Sequence, residues 1–230
     1  MESLSLPAPL MLFAILLFCV AAVFRYSVCA GLLDRPLVVG IIWAAFTGEW
    51  EMALKLALFF ELFWLDLMYV GTYIPPFGAM SLLMCLLLVD YFDIYEVRQL
   101  PLPLLLSVPW ALTGAAVERW MRQRQSMLYF ILVERGEAAR QYNLPGRVFA
   151  QCILKLMGLQ AVVFAGCYTI VENFGHLLVD WVYLPVFPWL NWGLLWTLGA
   201  AMGGFMALRT RRAYAVFAVA IACALGGLLL

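Results

Sequence analysis

Glu61 and Asp66 stand inside the run Phe59-Phe-Glu-Leu-Phe-Trp-Leu-Asp-Leu-Met68, where every other residue is apolar. An acidic side chain at the centre of a membrane helix costs roughly 2.5–3.5 kcal/mol to insert, so such residues face a cavity or a partner. Five helical positions are about 500° of rotation, which leaves the two carboxylates about 140° apart. If both are helical, one lines a cavity and the other meets a neighbouring subunit or a basic residue. Lys55 is not an obvious partner within this helix, because it precedes Glu61 by six positions and sits about 240° round. Carboxylate oxygens accept hydrogen bonds from hydroxyls, and rings such as Phe63 and Trp64 stack on the apolar face of a sugar. Sugar binding is therefore one chemistry open to Glu61. A structural carboxylate capping an unwound helix and a proton relay are two others.

Other reactive types offer less. His176 is the single histidine and lies in an acidic stretch with no second histidine to complete a metal or phosphorelay site. The six cysteines lie within or beside apolar runs without a C-x-x-C pair, as small packing residues do. There is no P-loop, no Gly-rich nucleotide fingerprint and no H-E-x-x-H, which argues against an ATP-driven pump or a membrane metalloprotease. No cofactor and no metal are expected. The chain by itself is expected to catalyse nothing.

The elements that must position these residues are set by composition. Of 230 residues, 66% are hydrophobic and 12% charged, with mean hydropathy +0.96. Soluble domains carry about 25% charged residues. A water-soluble fold would have to bury nearly every helix face, whereas in a bilayer apolar faces are the correct outer surface. The expectation is an all-α membrane protein, a polytopic helical bundle forming one integral membrane domain over 1–230. Net charge is +0, so no basic field points to nucleic acid.

Apolar segments fall near 6–24, 36–47, 52–74, 78–89, 101–117, 148–171, 190–208 and 213–230. The first lacks the basic start of a cleaved signal peptide and reads as a retained span. A simple crossing needs about 20 residues. Segments 36–47 and 78–89 are too short, so they read as broken or re-entrant helices, tolerated at membrane depth when buried in protein or lining a cavity. Ile74-Pro-Pro-Phe-Gly78 and Leu184-Pro-Val-Phe-Pro-Trp189 interrupt apolar stretches in the two halves, as in two-fold transporters. Gly199-x-x-x-Gly203 permits close helix approach, within the subunit or toward a partner.

The stretch 118–147 reads as a polar loop, either a solvated connector or a docking surface. It holds Arg119, Arg122, Arg124, Arg135, Arg140 and Arg147, six of the 14 basic residues. Arg209, Arg211 and Arg212 form a second basic cluster, while 90–98 and 172–180 are acidic loops. The positive-inside rule places both basic clusters in the cytoplasm and both acidic loops outside. Residues 1–90 carry too few charges to be oriented this way.

Residues 31–78 resemble the IIC subunit of the mannose–fructose–sorbose phosphotransferase family. The likeness rests on Asp34-Arg-Pro-Leu-Val-Val-Gly40, on Gly48-Glu49 where Gly-Asp is usual, on Phe60-Glu-Leu-Phe-Trp-Leu65, and on Gly71 and Pro75-Pro76 in ungapped register. The resemblance implies a sugar-translocating subunit of the bacterial cytoplasmic membrane. Its implied partners are a IID-like membrane subunit, soluble IIA and IIB phosphocarriers and a sugar substrate, with further copies of the chain in the complex. It implies Glu61 and Glu49 at the sugar site, with Pro75, Pro76 and Gly71 shaping a re-entrant tip. Trp64, as a stacking ring, and Asp66, as a second intramembrane carboxylate, join them as substrate-site candidates from their own chemistry. Asp66, Thr72 and Phe77-Gly78 depart from the family run, and Ala53 and Ala57 stand where glycines are common. These departures imply either a shifted substrate or a non-transporting scaffold or sensor.

Overall fold

The computed structural model describes residues 8–25, 30–65, 74–134, 144–181 and 187–207. Its helices are α1 (Ala8–Phe24), α2 (Ala30–Leu33), α3 (Pro36–Thr47), α4 (Trp50–Phe63), α5 (Gly78–Tyr91), α6 (Pro101–Glu134), α7 (Leu144–Trp181) and α8 (Trp192–Ala207). A single 3₁₀ turn, Val97–Gln99, precedes α6. No strand occurs among the described residues.

The centre of the bundle is α5. Every residue of it except Asp90 is buried, which fits a sequence that is apolar all round and has no polar face to turn outward. It packs against α1, α3, α4, α6 and α7. The short helices α3 and α4 form a hairpin that turns at Gly48, whose φ of 83° is left-handed and whose N–H bonds Ala44 O at 2.8 Å. Glycine takes that conformation without a Cβ penalty. The hairpin closes tightly because a Cβ on Gly40 would lie 2.5 Å from Ala57 Cβ and 3.3 Å from Ala53 O. Ala53 and Ala57, small residues themselves, face Gly40 across the hairpin.

On the other side of α4 lies α8, which starts with Asn191 Oδ1 accepting from Leu194 N–H at 2.8 Å, an N-cap bond. A Cβ on Gly199 would meet the Phe59 ring at 3.0 Å, and one on Gly203 would meet Leu62 O at 2.4 Å. The Gly199-x-x-x-Gly203 spacing is therefore used within the subunit, as a seat for α4.

Two helical stretches, Pro101–Gln125 and Gly146–Asn173, are long and apolar enough to cross a bilayer. The second has mean hydropathy 1.8 yet is only 17% buried. A soluble core helix of that hydropathy would be covered. Apolar side chains also face outward at helical spacing on α1 (Leu12, Leu16, Val20), α6 (Leu105, Leu112) and α8 (Leu194, Leu198, Met202). The molecule is an all-α membrane protein in which short helices are held among long ones.

Three expectations about boundaries are corrected. The stretch 118–147 is not a loop from its start: α6 continues to Glu134 and α7 begins at Leu144. Likewise 172–180 is the end of α7 and not a loop. Hydropathy marks a span as ending where charge begins, but helical hydrogen bonding continues into water. The single segment 52–74 divides, because α4 ends at Phe63 with Trp64 as its C-cap. Asp66, Gly71, Thr72, the second basic cluster and the segment 213–230 lie outside the described residues.

Candidate functional site

The two ends of the bundle differ in chemistry. At one end the C-terminus of α3, the first turns of α4, the C-terminus of α5 and the starts of α1 and α8 enclose an open vestibule of about 930 Å³. It is lined by Glu49, Glu51, Asp90 and Asp93, by Lys55, and by rings that include Trp50, Tyr95 and Trp192. The residues reach it through helix punctuation. Gly48 turns the chain so that Glu49 follows the α3 C-terminus directly. Asp93 adopts φ 50°, and Ile94 N–H bonds Val89 O at 3.0 Å while Asp93 N–H bonds Asp90 O at 3.4 Å. That is a Schellman ending with aspartate in the left-handed position, which Asp tolerates better than most residues. It sets Asp90 and Asp93 on one turn beside the cavity.

The C-termini of α3 and α5 add the negative ends of two helix dipoles to four carboxylates. Asp90 lies past the apolar run of α5, a short helix that does not itself span. Its carboxyl is pushed up to about 7, first by burial and then by the neighbouring charges of Glu49 and Asp93. The one cation among the lining residues, Lys55, pairs with Glu51 one helical turn away and lies 5.2 Å from the centre of the Trp192 ring. Lys55 is thus held by Glu51 and not by Glu61. A surface of carboxylates and rings accepts hydrogen bonds from hydroxyl or ammonium groups and stacks on an apolar ligand face.

Of the residues expected at a sugar site, Glu49 lines this vestibule. Glu61 stands at the other end of α4, about 18 Å along the helix. There its Oε1 is 3.2 Å from Arg35 Nη1, and its Oε2 accepts from Leu37 N–H at 3.2 Å. Leu37 is in the first turn of α3, so the carboxylate sits on the positive end of that helix, where anions are favoured. The geometry is that of a capping carboxylate. Trp64 is buried, with Nε1 donating to Ser81 Oγ at 3.2 Å. A Cβ on Gly78 would touch Pro36 at 2.9 Å and Trp64 at 3.1 Å. Trp64 therefore packs where the N-termini of α3 and α5 meet. Pro75 and Pro76 lead into α5 at that same end, beside α6, where Phe77 N–H bonds Ala111 O at 3.1 Å.

Sequence reasoning missed a buried charge cluster at this second end. Arg25, at the end of α1, has Nε 3.3 Å from Asp34 Oδ2 and Nη1 3.5 Å from Glu118 Oε2. Its Nη2 donates to Pro75 O at 2.7 Å, and its guanidinium lies 3.9 Å over the Phe77 ring. The Arg25 and Glu118 side chains are 1% and 0% exposed. Glu118 also accepts from Arg122 at 2.6 Å, in a stretch of α6 that carries the exposed Arg119 and Arg124. A signal existed in the sequence. Arg25, Asp34 and Glu118 each flank an apolar run, and alternation of the runs brings all three to one end. His176 lies on α7 beyond the side chains that are described.

No ligand-grade cluster of His, Cys, Asp and Glu occurs among the described residues. Cys19, Cys85, Cys152 and Cys167 are free thiols, three of them buried.

No family model and no curated protein matches the chain. A solved chain described as "Structure of membrane protein" is similar in fold, with a TM-score of 0.55 over 96% of this chain and 87% of that one, at 14% identity. That likeness carries the fold and nothing about substrate: the chain is built as an all-α membrane protein.

Proposed function

We propose that the chain is the sugar-translocating subunit of a mannose-type phosphotransferase system, a multi-pass protein of the bacterial cytoplasmic membrane. The reading is supported chiefly by the vestibule. Four carboxylates and several aromatic rings converge at the ends of two short helices, α3 and α5. Ligand pockets run from about 300 to 1,000 Å³, and a volume of about 930 Å³ falls in that range. Short helices whose ends meet a polar cavity are the usual binding architecture of secondary transporters. The family register over 31–78 supplies the sugar, the IID-like partner and the IIA and IIB phosphocarriers.

In this reading the vestibule faces outward and the Arg119–Arg124 surface faces the cytoplasm. The described contacts agree with one another on that axis. Phe187 N–H bonds Arg98 O at 3.0 Å at the acidic end, and Gln125 bonds Cys152 O at 3.2 Å at the basic end.

The test is sugar binding to the purified chain, read by its tryptophan fluorescence, to which Trp50 and Trp192 at the vestibule contribute. A hexose or amino sugar is expected to change the emission, and Glu49→Gln to weaken binding by about tenfold, the loss of one charged hydrogen bond. Binding is expected to tighten as pH rises through about 7, because Asp90 is then a carboxylate acceptor. Asp90→Asn should remove that dependence. Unchanged affinity in Glu49→Gln would sink the assignment of the vestibule as the sugar site.

A scaffold or sensor reading has one observation in its favour. Phe77 replaces the carboxylate usual in the family and packs under Arg25, at an end sealed by buried charges. It predicts no uptake of any sugar with all partners present.

A further inference from the structure

We propose that Arg25 is the bolt of a gate that closes the basic end of the bundle, opposite the vestibule; the inference rests on the translocation reading above. Arg25 ties together four parts of the chain. These are the end of α1, the turn before α3 through Asp34, the lead into α5 through the Pro75 carbonyl and the Phe77 ring, and the middle of α6 through Glu118. The vestibule opens at the C-termini of α3 and α5, and Arg25 sits at their N-termini. Separation of these parts would release the short helices at the end opposite the opening.

The chemistry suits a contact that opens. A buried ion pair adds little net stability against the cost of stripping water from both charges. Ionisable groups at membrane depth mark pathways and moving parts more than static cores. The contacts to Asp34 and Glu118, at 3.3 and 3.5 Å, are at the long end of ion-pair distance. Glu118 is moreover shared. Its other oxygen accepts from Arg122 at 2.6 Å, and the Arg122 side chain is 45% exposed at the basic surface. When Arg25 withdraws, Glu118 keeps Arg122 as a cation.

Ser81 reports on the gate. It is buried in the first turn of α5, and its N–H bonds Phe77 O at 3.3 Å. The test uses the full chain with all six native cysteines replaced by alanine and a single Ser81→Cys, in sealed membrane vesicles of both orientations. A membrane-impermeant methanethiosulfonate is applied from the basic side. With Arg25 intact the thiol is expected to react slowly. Arg25→Gln should raise the rate by about tenfold, as when a minor open state grows from about 1% to about 10% of molecules. The exchanged pair Arg25→Glu with Glu118→Arg should return it toward the starting value.

A rate that Arg25→Gln leaves unchanged overturns the gate. If Arg25→Gln does not insert, Arg25→Gln with Glu118→Gln replaces it, removing both charges of that buried pair together. Failure of both to insert makes Arg25 a structural staple and also overturns the gate. The readout needs no substrate, so the two readings separate. Sugar uptake with labelling indifferent to Arg25 removes the gate and leaves translocation. Labelling that responds to Arg25 in vesicles that pass no sugar supports the gate and removes translocation.

Discussion

Gly203→Val is expected to unseat α8 from α4, while Gly204→Val, one residue further on, should change little. The difference lies in what a side chain would meet. A Cβ at 203 would stand 2.4 Å from Leu62 O and 3.0 Å from Phe63 O, whereas at 204 nothing lies within 4 Å. Overpacking usually costs about 1–3 kcal/mol. The upper part of that range applies here, because a backbone carbonyl in α4 cannot rotate aside as a long side chain can. The consequence reaches the vestibule through one helix: Trp196 Nε1 donates to Lys55 O at 3.1 Å, and Trp192 lines the cavity beside Lys55. Thermal unfolding in detergent checks this. A clear loss of stability for Gly203→Val and none beyond about 0.5 kcal/mol for Gly204→Val is expected. Equal loss at both positions would mean that the 199–203 face is not the packed one.

Glu61→Lys should be the more damaging of two substitutions at that site, and Glu61→Gln the more informative. Lysine would set a second cation beside Arg35 and against the positive end of α3. A charge at a partly buried helix terminus is worth up to about 2 kcal/mol, so its reversal is expected to exceed that. Glutamine keeps an acceptor for Leu37 N–H and loses only the pair with Arg35. The Arg35 side chain is 40% exposed, and water discounts such a pair to about 0–1 kcal/mol. Near-native stability with intact sugar uptake in Glu61→Gln is the outcome the capping geometry predicts. Near-native stability with uptake abolished would return Glu61 to the sugar, as its place in the family run implies.

The helices themselves were legible from the residues. Segment 36–47 coincides with α3, 78–89 with nearly all of α5, and 190–208 with α8, because Pro36, Gly48, Gly78 and Asn191 punctuate the chain where hydropathy changes. The use of Gly199-x-x-x-Gly203 was legible only as a choice between an internal and an external partner. The site was less legible. Glu49 was picked out by family register alone, since nothing in a linear reading shows that it will stand with Asp90 and Asp93, about forty residues away, at one cavity. Arg25 and Glu118 were passed over for a related reason. A charge at the edge of an apolar run is read as the end of a span, and a one-dimensional profile does not register that three such edges meet. The same meeting relates the described helices α1, α3, α4 and α5 to the two ends of the bundle, which the charges of the first ninety residues could not do. Leu10 at the vestibule and Arg25 at the basic end fix the direction of α1, and α3, α4 and α5 follow by contact.

Sugar phosphorylation by sealed vesicles tests the translocation account most directly. The vesicles would carry this chain with the proposed IID-like partner and be supplied with the proposed IIA and IIB phosphocarriers and a phosphate donor. Donor-dependent accumulation of a sugar phosphate, reduced in Glu49→Gln at low sugar concentration and insensitive to a protonophore, is the predicted result. No product across a broad sugar panel, from a complex shown intact by co-purification, would contradict it and leave the scaffold reading in its place.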